Sequence, residues 1–345
     1  MVSPELWVVL CSDTEDNQPN YVPGWSKRGS NYDRSPAIVR WDWTEFWHDL
    51  SDYFHDIGIP ITWLIRADDG PIYDCMLRRF RNEILKLVSK GDEIGIHIHT
   101  FVWDSIYSKW KQTRDPVCEA RIVRRSLKYF EDVLGFSPHS VRMGWNAMSN
   151  ETMEILDQSG VIVDASAIPG NYCGGKFGGR DNFYNWRSVP QKPYHPNHQD
   201  YRSPGEMKIL EVPISTLNSP SKRFSGFVNR LSNFRIIYTF AHLLPLTKRV
   251  INPNFFFYIS PWWSASIISR IVDEYVKKAM KNGKAFLVGF FHSSDILDPK
   301  KGCENSFFKQ NINHVVETLS TLKRINVTFS TLSQVAREIK SSSSQ

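Results

Sequence analysis

Short apolar runs of strand length alternate with amphipathic stretches of helix length from one end of this 345-residue chain to the other. The runs at 6–10, 59–65, 94–99, 140–142, 161–164, 209–214, 285–291 and 327–329 predict strands. The stretches at 43–57, 71–89, 116–134, 149–160, 264–282, 307–323 and from 332 onward predict helices. Their ends carry matching signals: Lys90-Gly91 and Gly135 close two of them, and Ser149-Asn150-Glu151 opens another. Strands joined through helices pair in parallel, because such a crossover carries the chain back to the starting edge. The class is therefore α/β, a parallel sheet with helices outside, either open or closed as a barrel. There is no internal repeat and no stretch of linker composition, so one domain is expected over residues 1–340, with a frayed serine-rich tail at 341–345. The pattern dissolves only at about 165–254, a stretch of Gly, Pro, Asn and aromatics around the 209–214 strand. It is expected to be a long insertion over one end of the domain, where long loops usually carry function.

Hydrophobic residues make up 41% of the chain, enough for a sizeable core, and the formal charge is +6. The basic clusters Arg78, Arg79, Arg81 and Arg121, Arg124, Arg125 are interleaved with acids. That pattern is a set of solvated helix faces with some preference for anionic sugars or phosphates, and it makes no case for nucleic acid. Cys11, Cys75, Cys118, Cys173 and Cys303 are widely spaced, without a C-x-x-C pair, which excludes a zinc knuckle or a disulfide framework. Reduced thiols and a first strand that starts at residue 5 with no basic leader before it point to the cytoplasm. No apolar run reaches the ~18 residues of a transmembrane helix. Residues 234–250 mix apolar and basic side chains, as in an amphipathic helix, with peripheral membrane contact as the second reading. The oligomeric state is not legible.

Residues 94–101 read Ile-Gly-Ile-His97-Ile-His99-Thr-Phe. In a strand, residues i and i+2 share a face, so His97 and His99 can aim both imidazoles at one point. Two such imidazoles are half of a metal site and need a carboxylate plus an open position for water. After the first strand stands Ser12-Asp13-Thr14-Glu15-Asp16, which can supply both a ligand and a general base. Alone, an H-x-H is as well explained by a hydrogen-bonded pair, and an acidic cluster by a solvated loop. What points to chemistry is their joint position at the C-terminal ends of strands, where barrels place their active sites. Val141-Arg142-Met143-Gly144-Trp145, Val163-Asp164-Ala165-Ser166 and Phe290-Phe291-His292-Ser293-Ser294 occupy equivalent places, and Arg66-Ala67-Asp68-Asp69 follows the second strand. Trp25, Trp41, Tyr258, Trp262 and Trp263 are aromatics in loop positions that would stack on sugar faces.

This order of motifs resembles the polysaccharide deacetylase (NodB-homology, carbohydrate esterase family 4) superfamily over nearly the whole chain. It is most similar to branches associated with lipopolysaccharide and O-antigen biosynthesis. The resemblance implies a distorted (β/α) barrel of seven strands. It implies Asp13 as general base, matching the first Asp of T-F-D-D-G, with the metal-binding carboxylate displaced to Glu15 or Asp16. Glu15 comes first because it would share a face with Asp13 if the strand continues. Typical members then carry H-S/T-x-x-H; His97 matches the first histidine, Phe101 stands at the second, and His99 is the substitute ligand. Arg142 matches the arginine that orients the base, Asp164 a motif that helps orient the catalytic acid, and His292 the general acid itself. Gly144 and Trp145 would line the substrate groove, with Arg66 and Asp68 as further substrate contacts.

The implied cofactor is a divalent metal, zinc first, with Fe, Co, Ni or Mn open. The implied reaction is hydrolytic removal of an N-acyl group, acetyl first, from a nucleotide- or lipid-linked sugar during surface-polysaccharide assembly; an ester-linked acyl group is also open. Two alternatives stand beside it: a hydrolase of cyclic ureides or imides, and a non-catalytic glycan-binding protein that kept the barrel and lost the metal.

Overall fold

The computed structural model describes residues 3–14, 43–67, 76–104, 109–113, 115–174, 183–218, 254–259, 265–292, 295–298, 303–304 and 306–342. Eight strands form the main sheet: β1 (Glu5–Thr14), β2 (Ile61–Arg66), β3 (Glu93–Ile98), β4 (Ser140–Met143), β5 (Val163–Asp164), β6 (Leu210–Glu211), β7 (Lys284–His292) and β8 (Asn326–Ser330). The helices that connect and cover them are α1 (Trp43–Asp56), α2 (Arg81–Ser89), α3 (Pro116–Leu134), α4 (Asn150–Gln158), α5 (Ala265–Asn282), α6 (Ser306–Ser320) and α7 (Leu332–Ser342). A short helical turn, Met76–Arg79, precedes α2 within the span expected to be one helix.

The strands run in the order β6-β5-β4-β3-β2-β1-β7, with β8 also on β1, and every pairing is parallel. β1 is the axis. Residues 5–13 pair with 284–292 of β7 along one edge. Its other edge is shared, residues 5–9 with β8 and residues 10–14 with β2. Two strands leaving one edge at different heights open a wedge, and the first turn of α7 fills it. The amide of Leu332 donates to Thr62 Oγ1 (3.1 Å) and that of Ser333 to Glu93 Oε2 (2.9 Å), satisfying helix-start donors that would otherwise be orphaned.

The two ends of the sheet are laced together. Ile214 N donates to Ala167 O (2.9 Å) and Ser215 N to Val288 O (2.9 Å), while Val288 N donates to Ser215 Oγ (2.9 Å). Ile259 N and Phe290 O, then Phe290 N and Phe257 O, continue the seam at 2.8 and 3.1 Å. The sheet therefore curls into the distorted barrel that the motif order implies. Gly289 permits this closure, because a Cβ there would lie 2.5 Å from the Phe257 ring.

Outside β8, strand residues are mostly buried on both faces, which is why their sequences are continuous apolar runs rather than alternating ones. On β1, Leu6, Val8 and Leu10 pack outward among the helices, with Trp63 and Ile65 of β2 and Ile94, Ile96 and Ile98 of β3. Val9 and Cys11 face the other way, with Leu64, Val163, Leu210, Val288 and Phe290. The period of two then carries Asp13 onto the inner face. Each fully buried Leu or Ile side chain contributes about 1.5–3 kcal/mol.

The aperiodic region does more than lie over one end. Part of it is wall, since β6 joins the sheet, and Trp186, Val189, Tyr194, Tyr201, Met207 and Ile209 pack into the outer core. The C-terminus also differs from expectation, because α7 runs on through Ser342. Ser341 Oγ donates to Glu338 O (2.8 Å) and Ser342 Oγ to Glu338 Oε1 (3.2 Å), so these serines bond back to the last turn.

Candidate active site

Strand register sets out the site before any side chain is considered. Asp13 and His292 are register partners on β1 and β7; Arg66, His97 and Arg142 are partners in turn on β2, β3 and β4; Asp164 and Glu211 are partners on β5 and β6. All lie at C-terminal strand ends, so the curl brings them around one mouth. Arg142 uses it. Its Nη1 donates to Asp13 Oδ1 at 2.7 Å, and its Nε donates to the Ala165 carbonyl at 2.8 Å. The guanidinium lies over the Phe290 ring, 4.7 Å from its centroid. Arg142 is 1% and Asp13 4% exposed, so this ion pair sits in a low-dielectric setting. Burial alone would make the guanidinium easier to deprotonate, but Asp13, Cys11 and Asp164 together hold the group above its usual value. Cys11, below Asp13 on the inner face, has its thiol pushed up to about 12, chiefly by burial.

His97 and His99 converge. Their Nε2 atoms are 3.1 Å apart, and both residues are buried. Two nitrogens bound to one zinc at their usual lengths lie about 3.3 Å apart at a tetrahedral angle, so the pair has the spacing of two ligands on one ion. His99 is wedged in place, stacked on Phe101 (centroids 4.8 Å, 14°) with Trp145 edge-on at 6.0 Å. Phe101 is thus the surface against which the His99 ring is aligned. On the other side, a Cβ at Gly144 would fall 2.3 Å from the His99 ring. Only glycine leaves room for the imidazole. Among the described residues no cluster of three or more His, Cys, Asp or Glu side chains is placed to hold a metal. Glu15 and Asp16 lie outside the described residues, as do Asp68, Trp25, Trp41, Trp262, Trp263 and the 234–250 segment.

After Gly144 the chain makes a tight 3-10 turn in which Trp145 (φ 54°) and Asn146 (φ 55°) are both left-handed. Such backbone costs about 1–3 kcal/mol per residue and persists only where the surroundings over-determine it. Here Trp186 Nε1 donates to Asn146 O (2.8 Å), and the Trp145 ring packs edge-on against Phe101 at 4.9 Å. The turn thus sets Trp145 beside His99. Arg66 reaches the same aromatic group, 5.7 Å above the Phe101 ring.

His292 is half-buried. Its Nδ1 shares a hydrogen bond with Tyr258 OH (3.1 Å), and Asp295 Oδ2 accepts from its backbone N–H (2.9 Å) while lying 3.6 Å from Nδ1. Tyr258 stacks on Phe290, the ring beneath Arg142. Asp164, expected to help orient the acid, is directed elsewhere. It accepts from Ser166 Oγ (2.6 Å), and Ser166 Oγ in turn accepts from Met143 N (2.8 Å). Its register alternates with Val163, an inner-face residue, so its carboxyl is carried outward, away from His292. The groups that meet His292 are Tyr258 and Asp295. Both were visible in the sequence, Tyr258 as a loop aromatic and Asp295 just after the histidine motif, but neither had a spacing that tied it to His292. Glu211 gave no signal beyond standing in an apolar run.

Comparison with known structures bears on the fold. The backbone matches a Mycobacterium smegmatis protein described as a polysaccharide deacetylase with a TM-score of 0.53 at 13% identity, over 99% of this chain and 92% of that one. A Pseudomonas aeruginosa PAO1 protein of the same description matches with a TM-score of 0.54 at 12% identity, over 97% and 90%. The fold is that of the polysaccharide deacetylases. The deacetylase fold is shared with the allantoinase PuuE, which matches with a TM-score of 0.55 at 12% identity over 98% of this chain and 91% of that one. No family model and no curated protein matches the sequence.

Proposed function

We propose that this protein is a metal-dependent hydrolase that removes an N-acyl group, acetyl first, from a sugar. The observation that carries the reading is the His97–His99 convergence at 3.1 Å in a barrel mouth that also holds the buried Asp13–Arg142 pair. His97 and His99, with Glu15 or Asp16, would hold a divalent ion, zinc first by their mixed N/O chemistry and Fe, Co, Ni or Mn after it. Bound there, the ion would polarise the acyl carbonyl and acidify a water.

The chain's own groups divide the proton work. Asp13, aimed by Arg142, takes a proton from the attacking water as its oxygen bonds to the acyl carbon. His292 as imidazolium gives its Nε2 proton to the nitrogen as the C–N bond breaks, yielding free amine and carboxylate. The Tyr258 bond at Nδ1 holds the ring in place for this transfer. Trp145, beside His99, gives the sugar a face to stack on. The setting we infer is cytoplasmic, on nucleotide- or lipid-linked sugars in lipopolysaccharide or other surface-polysaccharide assembly.

The likeness to an allantoinase favours a second reading, hydrolysis of a cyclic ureide by the same groups. Metal content of wild type beside His97→Ala/His99→Ala tests the shared premise. About one equivalent in wild type, lost in the variant, supports a hydrolase. No metal in either after reconstitution turns the reading to glycan binding. Amine release from acylated sugars, set against ring opening of cyclic ureides, then decides between the two chemistries.

A further inference from the structure

Three carboxyl groups and one guanidinium are buried at the C-terminal ends of β1, β4, β5 and β6: Asp13, Arg142, Asp164 and Glu211. The guanidinium reaches Asp13 through Nη1 and the Ala165 carbonyl through Nε, and its Nη2 has no acceptor among the described residues. Asp164 and Glu211, as register partners, leave neighbouring strands on the same face, and both are 0% exposed. Each has one oxygen satisfied. Asp164 Oδ1 accepts from Ser166 Oγ at 2.6 Å, and Glu211 Oε1 accepts from Ala167 N at 3.1 Å. The remaining oxygens, Asp164 Oδ2 and Glu211 Oε2, are buried and have no donor among the described residues. Two ionised carboxylates so placed would set two unsatisfied acceptors side by side with no cation of their own. A single proton between them removes one charge and supplies the missing hydrogen bond.

We propose that Asp164 and Glu211 form a carboxylic acid–carboxylate pair sharing one proton, and that this pair positions Arg142 against Asp13, making Glu211 a positioning residue of the site. The path is short. Glu211 holds the Ala167 amide, and Asp164 holds Ser166, which holds Met143 N. Between those clamps stands Ala165, whose carbonyl receives Arg142 Nε. The charged and titratable groups that act on the pair are Arg142 of β4, through its charge alone, and, from the 186–209 stretch, Tyr194, with Tyr201 and Asp200 beyond it. Tyr194 donates its phenol proton to the Tyr201 carbonyl instead. Burial, and then the Asp164 charge, hold the Glu211 carboxyl well above its usual range; burial raises Asp164 as well.

The bearing on catalysis rests on Asp13 being the base, but the shared proton does not, and both can be tested without substrate. Infrared spectra of the full-length protein in D2O near neutral pH should show a protonated carboxyl band that Glu211→Gln removes. Absence of that band in wild type would overturn the shared proton. For positioning, hydrogen exchange at Arg142 Nε–H, followed by 15N NMR, should be at least tenfold faster in Glu211→Ala than in wild type. Glu211→Gln, which still donates to Asp164, should restore the slow rate. An exchange rate unmoved by Glu211→Ala would overturn the positioning role. Should that variant not fold, Glu211→Asp, one methylene shorter, replaces it with the same two outcomes. Failure of wild type to release amine from any acylated sugar would count against the proposed activity and leave both readouts standing.

Discussion

Arg142 Nη1 lies 2.7 Å from Asp13 Oδ1, although β2 and β3 separate their strands in the sheet. The contact crosses the barrel mouth and so exists only because the sheet curls. Removing one partner of a buried ion pair leaves the other uncompensated, at a cost of about 3–5 kcal/mol. Arg142→Met and Asp13→Asn should each lower stability in urea on that order. The double variant should lose less than the sum, the signature of direct coupling. Arg142→Lys should not rescue, since an ammonium cannot serve Asp13 and the Ala165 carbonyl in the same fork geometry. If the two single losses add, the pair is not coupled in solution.

Gly144 is the tightest point around the histidine pair. A methyl there would fall 2.3 Å from the His99 ring, so Gly144→Ala must displace the imidazole or the turn. On the proposed ligation, metal affinity should fall about 10–100-fold, the usual cost of disturbing what aims a ligand. Competition against a chromogenic chelator measures this, with circular dichroism as the check on folding. Unchanged affinity in a folded variant would remove His99 from the ligand set.

These contacts also mark what a sequence can and cannot reveal. The barrel was legible because parallel strands buried on both faces write themselves as apolar runs, and the caps at Ser149 and Gly135 punctuate the helices between them. His97 with His99, and Asp13 with Arg142, were legible because each stands at a strand end in a recognisable order. The role of Tyr258 was not, because the contact joins positions 34 residues apart through the barrel's irregular seam. Glu211 was hidden for a different reason. In the run Leu210-Glu211-Val212 it looks like the polar face of a half-exposed strand, and only the wall formed by 186–209 makes that face an interior. Asp164 was placed by motif order alone, which says nothing of which face of a two-residue strand a side chain leaves.

The carboxyl pair also gives stability a definite pH dependence. Burial and the Asp164 charge raise the Glu211 pKa above the ordinary 4.5, so the folded state holds a proton that the unfolded chain releases. Its contribution is therefore fully present below about pH 4.5 and is lost as pH rises through the folded value, at up to about 1.4 kcal/mol per pH unit. Urea denaturation at several pH values should show wild type weakening over that rise relative to Glu211→Gln, which has no proton to lose. Parallel curves for the two proteins would mean that Glu211 titrates alike in both states.

Tyr258 separates positioning from proton transfer at His292. Tyr258→Phe removes the phenol that meets Nδ1 at 3.1 Å and leaves Asp295 Oδ2, 3.6 Å away, as the nearest polar group identified there. Loss of one such hydrogen bond is worth about 0.5–1.5 kcal/mol, so kcat should fall about tenfold or less with KM unchanged. His292→Gln should cost about 10²–10⁴-fold, the range for losing a general acid. The pH profile sharpens the contrast. If Tyr258→Phe is as inactive as His292→Gln, and the limb assigned to His292 disappears with the phenol, then Tyr258 delivers the proton and His292 only orients it.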